Sequence, residues 1–255
     1  MENDELNLYE MKPEDFFDSD YFLIYKEHHK DILDRLIRLD TSITILEKIA
    51  KFNFDLFLNL SQKSFWHMGY WNFKDISIII ICGLVTDTGN DTHTLTKFKN
   101  EIFKNLKPES KMSFQENIIK FDDEFNDISE KAKNIRNQFL AHRLFKKNTQ
   151  ELNNDAEGIT VSELRKLFHQ IYKLFQICSF GSKYCTVLID FMDTTVGGPT
   201  QSHLDDIFDL IIKNSYFINE PEKNSTAWKY LREKMKPEEI DMLNNYRKKF
   251  EMPEV

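Results

Sequence analysis

Apolar side chains recur along the chain at intervals of three and four, the period of a helix that buries one face. Ile32, Leu36, Leu39, Ile43, Leu46 and Ile49 mark a long first helix that continues through Leu60. The pattern predicts a second helix from about Phe73 to Val85, ending at the turn-prone Thr86-Asp87-Thr88-Gly89-Asn90-Asp91. Leu95 to Leu106 reads as a short basic helix stopped by Pro108. The longest stripe is Phe114, Ile118, Phe121, Phe125, Ile128, Ala132, Ile135 and Phe139, unbroken over about four heptads. After a polar loop from Asn148 to Gly158, Thr160 and Glu163 form a capping box. The helix they open carries Leu164, Phe168, Ile171, Phe175, Cys178, Cys185, Ile189 and Met192. Beyond Gly197-Gly198-Pro199 lie three shorter helices, about 203–218, 221–235 and 237–250, with Pro221 and Pro237 at first-turn positions.

These elements predict an all-α fold: an antiparallel helical bundle over residues 1–199 with a C-terminal helical appendage over 200–255. With 41% apolar residues in 255, the chain can bury a core. Seven Gly and six Pro are too few for the turns of an all-β sandwich. Cys82, Cys178 and Cys185 lack the paired short spacing of a zinc site, and two of them sit on a core stripe as small hydrophobes. Asp87, Asn90 and Asp91 lack the Gly and Glu of a calcium loop, so a helix-ending turn explains them. His28-His29 has no matching acidic or thiol partner nearby in sequence and reads as solvated at the start of the first helix. No phosphate-binding loop, nucleophile elbow or zinc-protease motif occurs. Neither a metal nor a cofactor is expected.

The run from Ile76 to Val85 is about half the length of a membrane span. The acidic start, Met1-Glu2-Asn3-Asp4-Glu5, is unlike a signal peptide. Both point to a cytoplasmic protein without a membrane partner.

Charge changes this picture at one place. The chain carries a net −8, which argues against a general coat for nucleic acid. Yet Lys131 to Lys147 holds six Lys or Arg and no acid, so the rest of the chain carries −14. On a helix turning 100° per residue, Lys133, Arg136, Arg143 and Lys147 share a sector of about 80° beside the apolar stripe. His142 takes the stripe position after Phe139, which directs its ring to a seam or groove.

Arg136-Asn137-Gln138-Phe139-Leu140-Ala141-His142 resembles the signature of the HEPN superfamily: Arg, a polar residue, then His after a short gap. Together with Ile78 to Asp87 and the short helix after it, residues 25–195 look like the abortive-infection, AbiU-type branch of that superfamily. The resemblance implies a metal-independent endoribonuclease that acts as a toxin or phage-defence effector. It assigns Arg136 to phosphorane charge, His142 to general acid–base work and Asn137 to orienting His142 or a phosphate oxygen. Lys133, Arg143, Lys146 and Lys147 would hold flanking RNA phosphates.

Residues six apart on an ideal helix diverge by about 120° and rise about 9 Å. One protomer's Arg136 and His142 therefore converge poorly on a single phosphate, and a homodimer with a composite cleft is expected. An antitoxin or another defence-system protein is a further expected partner. Two other readings remain open: a non-catalytic HEPN module binding RNA or protein, and a helical interaction protein in which the motif is accidental.

Overall fold

The computed structural model describes residues 12–17, 19–51, 60–87, 93–137, 159–180, 203–219 and 226–255. Its elements are α1 (Pro13–Phe16), α2 (Ser19–Lys51), α3 (Leu60–Val85), α4 (Leu95–Asn105), α5 (Pro108–Arg136) and α6 (Val161–Ile177). They are followed by α7 (His203–Lys213), α8 (Tyr216–Asn219), α9 (Thr226–Arg232) and α10 (Pro237–Lys249). Among the described residues the fold is all-α, as the periodicity predicts; an isolated antiparallel bridge joins Phe17 to Leu106. The chain divides into two compact units, Met1–Thr44 with Phe73–Ile189 and Ile45–Asn72 with Asp190–Val255.

The first unit is built on the predicted stripes. Ile32, Leu36, Leu39 and Ile43 of α2 are fully buried, as are Ile78 and Leu84 of α3. Leu95, Phe98 and Ile102 of α4 join them, with Phe114, Phe121, Ile128 and Ala132 of α5 and Leu164, Phe168, Ile171 and Phe175 of α6. Helix α6 starts where the capping box places it: the Thr160 hydroxyl accepts from the Glu163 N–H, and Glu163 accepts from the Thr160 N–H. Arg165 of α6 ties back to α2, donating to the Asp40 carboxylate and, at 2.8 Å, to the Thr44 hydroxyl.

Three boundaries differ from the sequence pattern. Helix α2 begins at Ser19, and α3 begins at Leu60, well before Phe73. Helix α6 ends at Ile177, although its stripe runs on through Cys185 and Met192. The reason is tertiary. The Tyr25 hydroxyl donates to the Cys178 carbonyl and accepts from the Phe180 N–H at 2.9 Å, pulling the chain out of the helix. Phe180 is thereby buried against Phe16, Phe17 and Phe114. The expected extension of the first helix to Leu60 falls in part on 52–59, outside the described residues, as do Phe139, the loop from Asn148 to Gly158, Cys185, Gly197-Gly198-Pro199 and Pro221.

The second unit packs Ile212 of α7, Ile218 of α8, Trp228 of α9 and Leu243 of α10 around one core. The span expected as one helix over 203–218 is broken at Asn214-Ser215 into α7 and α8. Pro237 opens α10 at its first turn, as expected. Arg247, fully buried, satisfies the carbonyls of Ile218 and Pro253 and so ties α10 to α8 and to the C-terminal strap.

One stretch, Lys63–Val85, is long and apolar enough to cross a membrane by length and composition. It exceeds the Ile76–Val85 run because α3 starts earlier. Its inner face packs Ile78, Ile81, Leu84 and Val85 into a protein core, and Lys74 and Ser77 are buried in its middle.

Candidate functional site

Helix α5 carries the first two motif residues, Arg136 and Asn137, at its C-terminal end. Buried Phe121, Ile128 and Ala132 fix its rotation, and ion pairs fix its position along the axis: Lys99 of α4 to Asp122, and Lys173 of α6 to Glu124 at 2.6 Å. Its last turn therefore presents Lys133, Arg136 and Asn137 to solvent. Arg136 is the final residue of α5, and Asn137 keeps helical dihedrals as its cap (φ −66°, ψ −44°). Neither Lys133 nor Arg136 has a carboxylate partner among the described residues. A charge left uncompensated at a helix end is available to an anion, though cations there are also favoured by the helix dipole.

The other wall of this corner is the C-terminal end of α3, which the sequence did not single out as a site. The Cys82 thiol donates to the Ala132 carbonyl at 3.8 Å, and the Thr86 hydroxyl donates to the Cys82 carbonyl at 3.0 Å. Burial pushes the Cys82 thiol up, with the Arg136 charge and the Thr86 hydrogen bond opposing that shift. Cys82 is thus held in its thiol form, packed in the seam between α3 and α5. Cys178, fully buried, is pushed up more strongly by the same desolvation. Cys178 takes the core position its stripe predicts, and Cys185, the other cysteine of that stripe, lies outside the described residues.

His142, Arg143, Lys146 and Lys147 lie outside the described residues. The structure therefore locates Lys133, Arg136 and Asn137 and brings the Arg136 charge within electrostatic reach of the Cys82 thiol.

A second polar cluster overturns the solvated reading of His28-His29. His29 is buried, and its Nε2 lies 3.1 Å from the Ser179 hydroxyl. Since that hydroxyl donates to the Phe175 carbonyl, its oxygen is left to accept from Nε2. His28 Nδ1 is 2.7 Å from Glu101, and its ring lies 4.0 Å from the His93 ring, centroid to centroid. His93 Nδ1 is 3.2 Å from Asp31, which also holds Arg35 at 2.7 Å. Tyr21 is buried nearby; desolvation, then the Glu101 charge, then Cys178 push its phenol well above the ordinary range. No set of three or more His, Cys, Asp or Glu side chains among the described residues could hold a metal. Local sequence gave no hint of these pairs, since Asp31 and His93 stand 62 positions apart. Helix packing alone joins them.

The sequence profile of the HEPN AbiU2 family, described as AbiU2, matches residues 28–176, more than half of the chain. The chain belongs to the AbiU2 family of HEPN proteins. For this HEPN chain the matched span runs from His28 in α2 to Gln176 in α6, enclosing α3, α4, α5 and the Arg136 corner. It stops short of α7 to α10. No curated protein and no solved structure matches the chain.

Proposed function

We propose that this abortive-infection-type HEPN protein is a metal-independent RNA endonuclease, acting in the cytoplasm as a toxin or anti-phage effector. The observation that carries the reading is Arg136: an exposed guanidinium, without a carboxylate partner among the described residues, at the last residue of α5 and one turn beyond the Cys82–Ala132 contact. A planar, permanently charged donor set suits a phosphorane better than a lysine would.

In this reading the RNA 2′-hydroxyl attacks the adjacent phosphorus as His142 accepts its proton or protonates the leaving oxygen. The bond to the 5′-oxygen breaks, leaving a 2′,3′-cyclic phosphate and a 5′-hydroxyl. Arg136 neutralises charge building on the non-bridging oxygens, and Asn137 orients His142 or a phosphate oxygen. Lys133, Arg143, Lys146 and Lys147 bind flanking phosphates, which makes binding salt-sensitive. A second copy supplies the Arg–His pairing that one helix does not.

Two tests address the chemistry and the shared site. An RNA with hydrogen in place of the 2′-hydroxyl at a mapped cut position should resist cleavage; cutting at an unchanged rate contradicts the mechanism. Mixing Arg136→Ala with His142→Ala protein should restore activity that neither has alone; a mixture as inactive as its components contradicts the composite cleft.

A further inference from the structure

Between α2 and α3 lies an open groove of about 580 Å³, all within the first unit. Its α3 wall is Ile76, Ile79, Ile80 and Gly83, a single helical face. Ile76 is 43% exposed and Ile79 is 56% exposed, although both belong to a helix whose opposite face is core. A Cβ built on Gly83 would meet nothing within 4 Å, so the backbone there is open to close approach from outside. The α2 wall includes Arg38, and Asp34 stands one turn before it on the same side of that helix. Both are exposed, and neither has a side-chain partner among the described residues. Arg35, also on the wall, is held by Asp31 and by the His93 carbonyl.

We propose that this α2–α3 face is where a second copy of the chain docks, Ile76 and Ile79 packing across a two-fold axis near Gly83. The charge pattern selects that occupant. Asp34 and Arg38 are opposite in sign and one turn apart, so a two-fold between them sets each against the other residue of the partner copy. Such self-complementarity is what an isologous contact requires. An RNA strand would meet Asp34 as a repulsive charge and, in the groove lining, no aromatic ring for its bases. Gly83 follows Cys82, whose thiol bonds the Ala132 carbonyl of α5, so a crossing there lies one residue from the α3–α5 seam that leads to Arg136. The proposal deepens the shared-site reading above and rests on it for its functional meaning.

The test is light scattering of the full chain across the micromolar range, with cleavage assayed in parallel. Wild type should be a dimer. Ile79→Glu should raise the dimer Kd by about tenfold or more, as a charge is forced into the apolar centre. Gly83→Ala has room within the protomer and favours the helix, so it should fold normally yet weaken dimerisation. Asp34→Arg and Arg38→Asp should each weaken the dimer, and the double reversal should restore it. A monomeric wild type, or a dimer indifferent to all of these changes, overturns the proposal. Loss of protection against phage with the dimer mass unchanged also overturns it, pointing to a different protein on this face. Inactive but dimeric wild type, dissociated by Ile79→Glu, would sink the nuclease reading and leave the interface standing.

Discussion

The Cys82 thiol meets the Ala132 carbonyl one turn before Arg136, at 3.8 Å. This contact sets how closely α3 approaches α5 just where the motif begins. Enlarging the residue should therefore disturb the corner more than it disturbs the fold. Cys82→Phe is expected to cost about 1–3 kcal/mol from overpacking and to lower RNA cleavage beyond that loss. Cys82→Ala, losing a small buried group, should cost about 1 kcal/mol and keep activity. Urea denaturation and cleavage rates on the same preparations check both; a fully active Cys82→Phe would show that the seam does not position Arg136.

Buried thiols give stability a definite dependence on alkaline pH. Folding holds Cys178 and Cys82 protonated, each with its titration raised. Unfolding releases them to the ordinary value of about 8.5. Their contribution is complete below that pH and is lost as pH rises, because only the unfolded state then gives up protons. For Cys178, fully buried, the loss by pH ~9.5 should approach 1.4 kcal/mol. Denaturation midpoints measured between pH 7 and about 9.5 should fall, and Cys178→Ala should show a shallower decline from a lower starting stability. Equal slopes for the two proteins would contradict the burial of this thiol.

Asp40 and Arg165 form a pair in which the carboxylate is nearly buried and the guanidinium one-fifth exposed. Removing one partner strands the other. Asp40→Ala should cost about 3–5 kcal/mol, whereas Asp40→Ala combined with Arg165→Met should cost distinctly less. Thermal melts of the two single variants and the double variant give the coupling; strict additivity would mean that the pair does not join α2 to α6.

Much of the bundle is legible in the sequence because a buried face must repeat at the helical period. The stripe from Ile32 to Ile49, the buried Phe114, Phe121, Ile128 and Ala132 of the longer stripe, and the Thr160–Glu163 cap all appear where the pattern puts them. Legibility fails where a long-range bond overrides local pattern. Cys178, Cys185 and Ile189 continue a stripe, yet Tyr25 captures the backbone at Cys178 and Phe180 and ends the helix. The early part of α3 escapes notice because Phe65, Trp66, His67, Tyr70 and Trp71 mix aromatic and polar groups without a stripe. The same limit hides the site's surroundings. Arg136 is found by its motif, but its electrostatic reach to Cys82, and the His28–Glu101 and His93–Asp31 pairs, exist only once the helices pack.

The most direct measurement is cleavage of total RNA by the purified full chain in excess EDTA, alongside Arg136→Ala and His142→Ala. Cleavage by the wild type, with a loss of at least about a hundredfold in each variant, is the expected result. Cleavage that disappears with EDTA, or that persists equally in all three proteins, would contradict a metal-independent nuclease centred on Arg136 and His142.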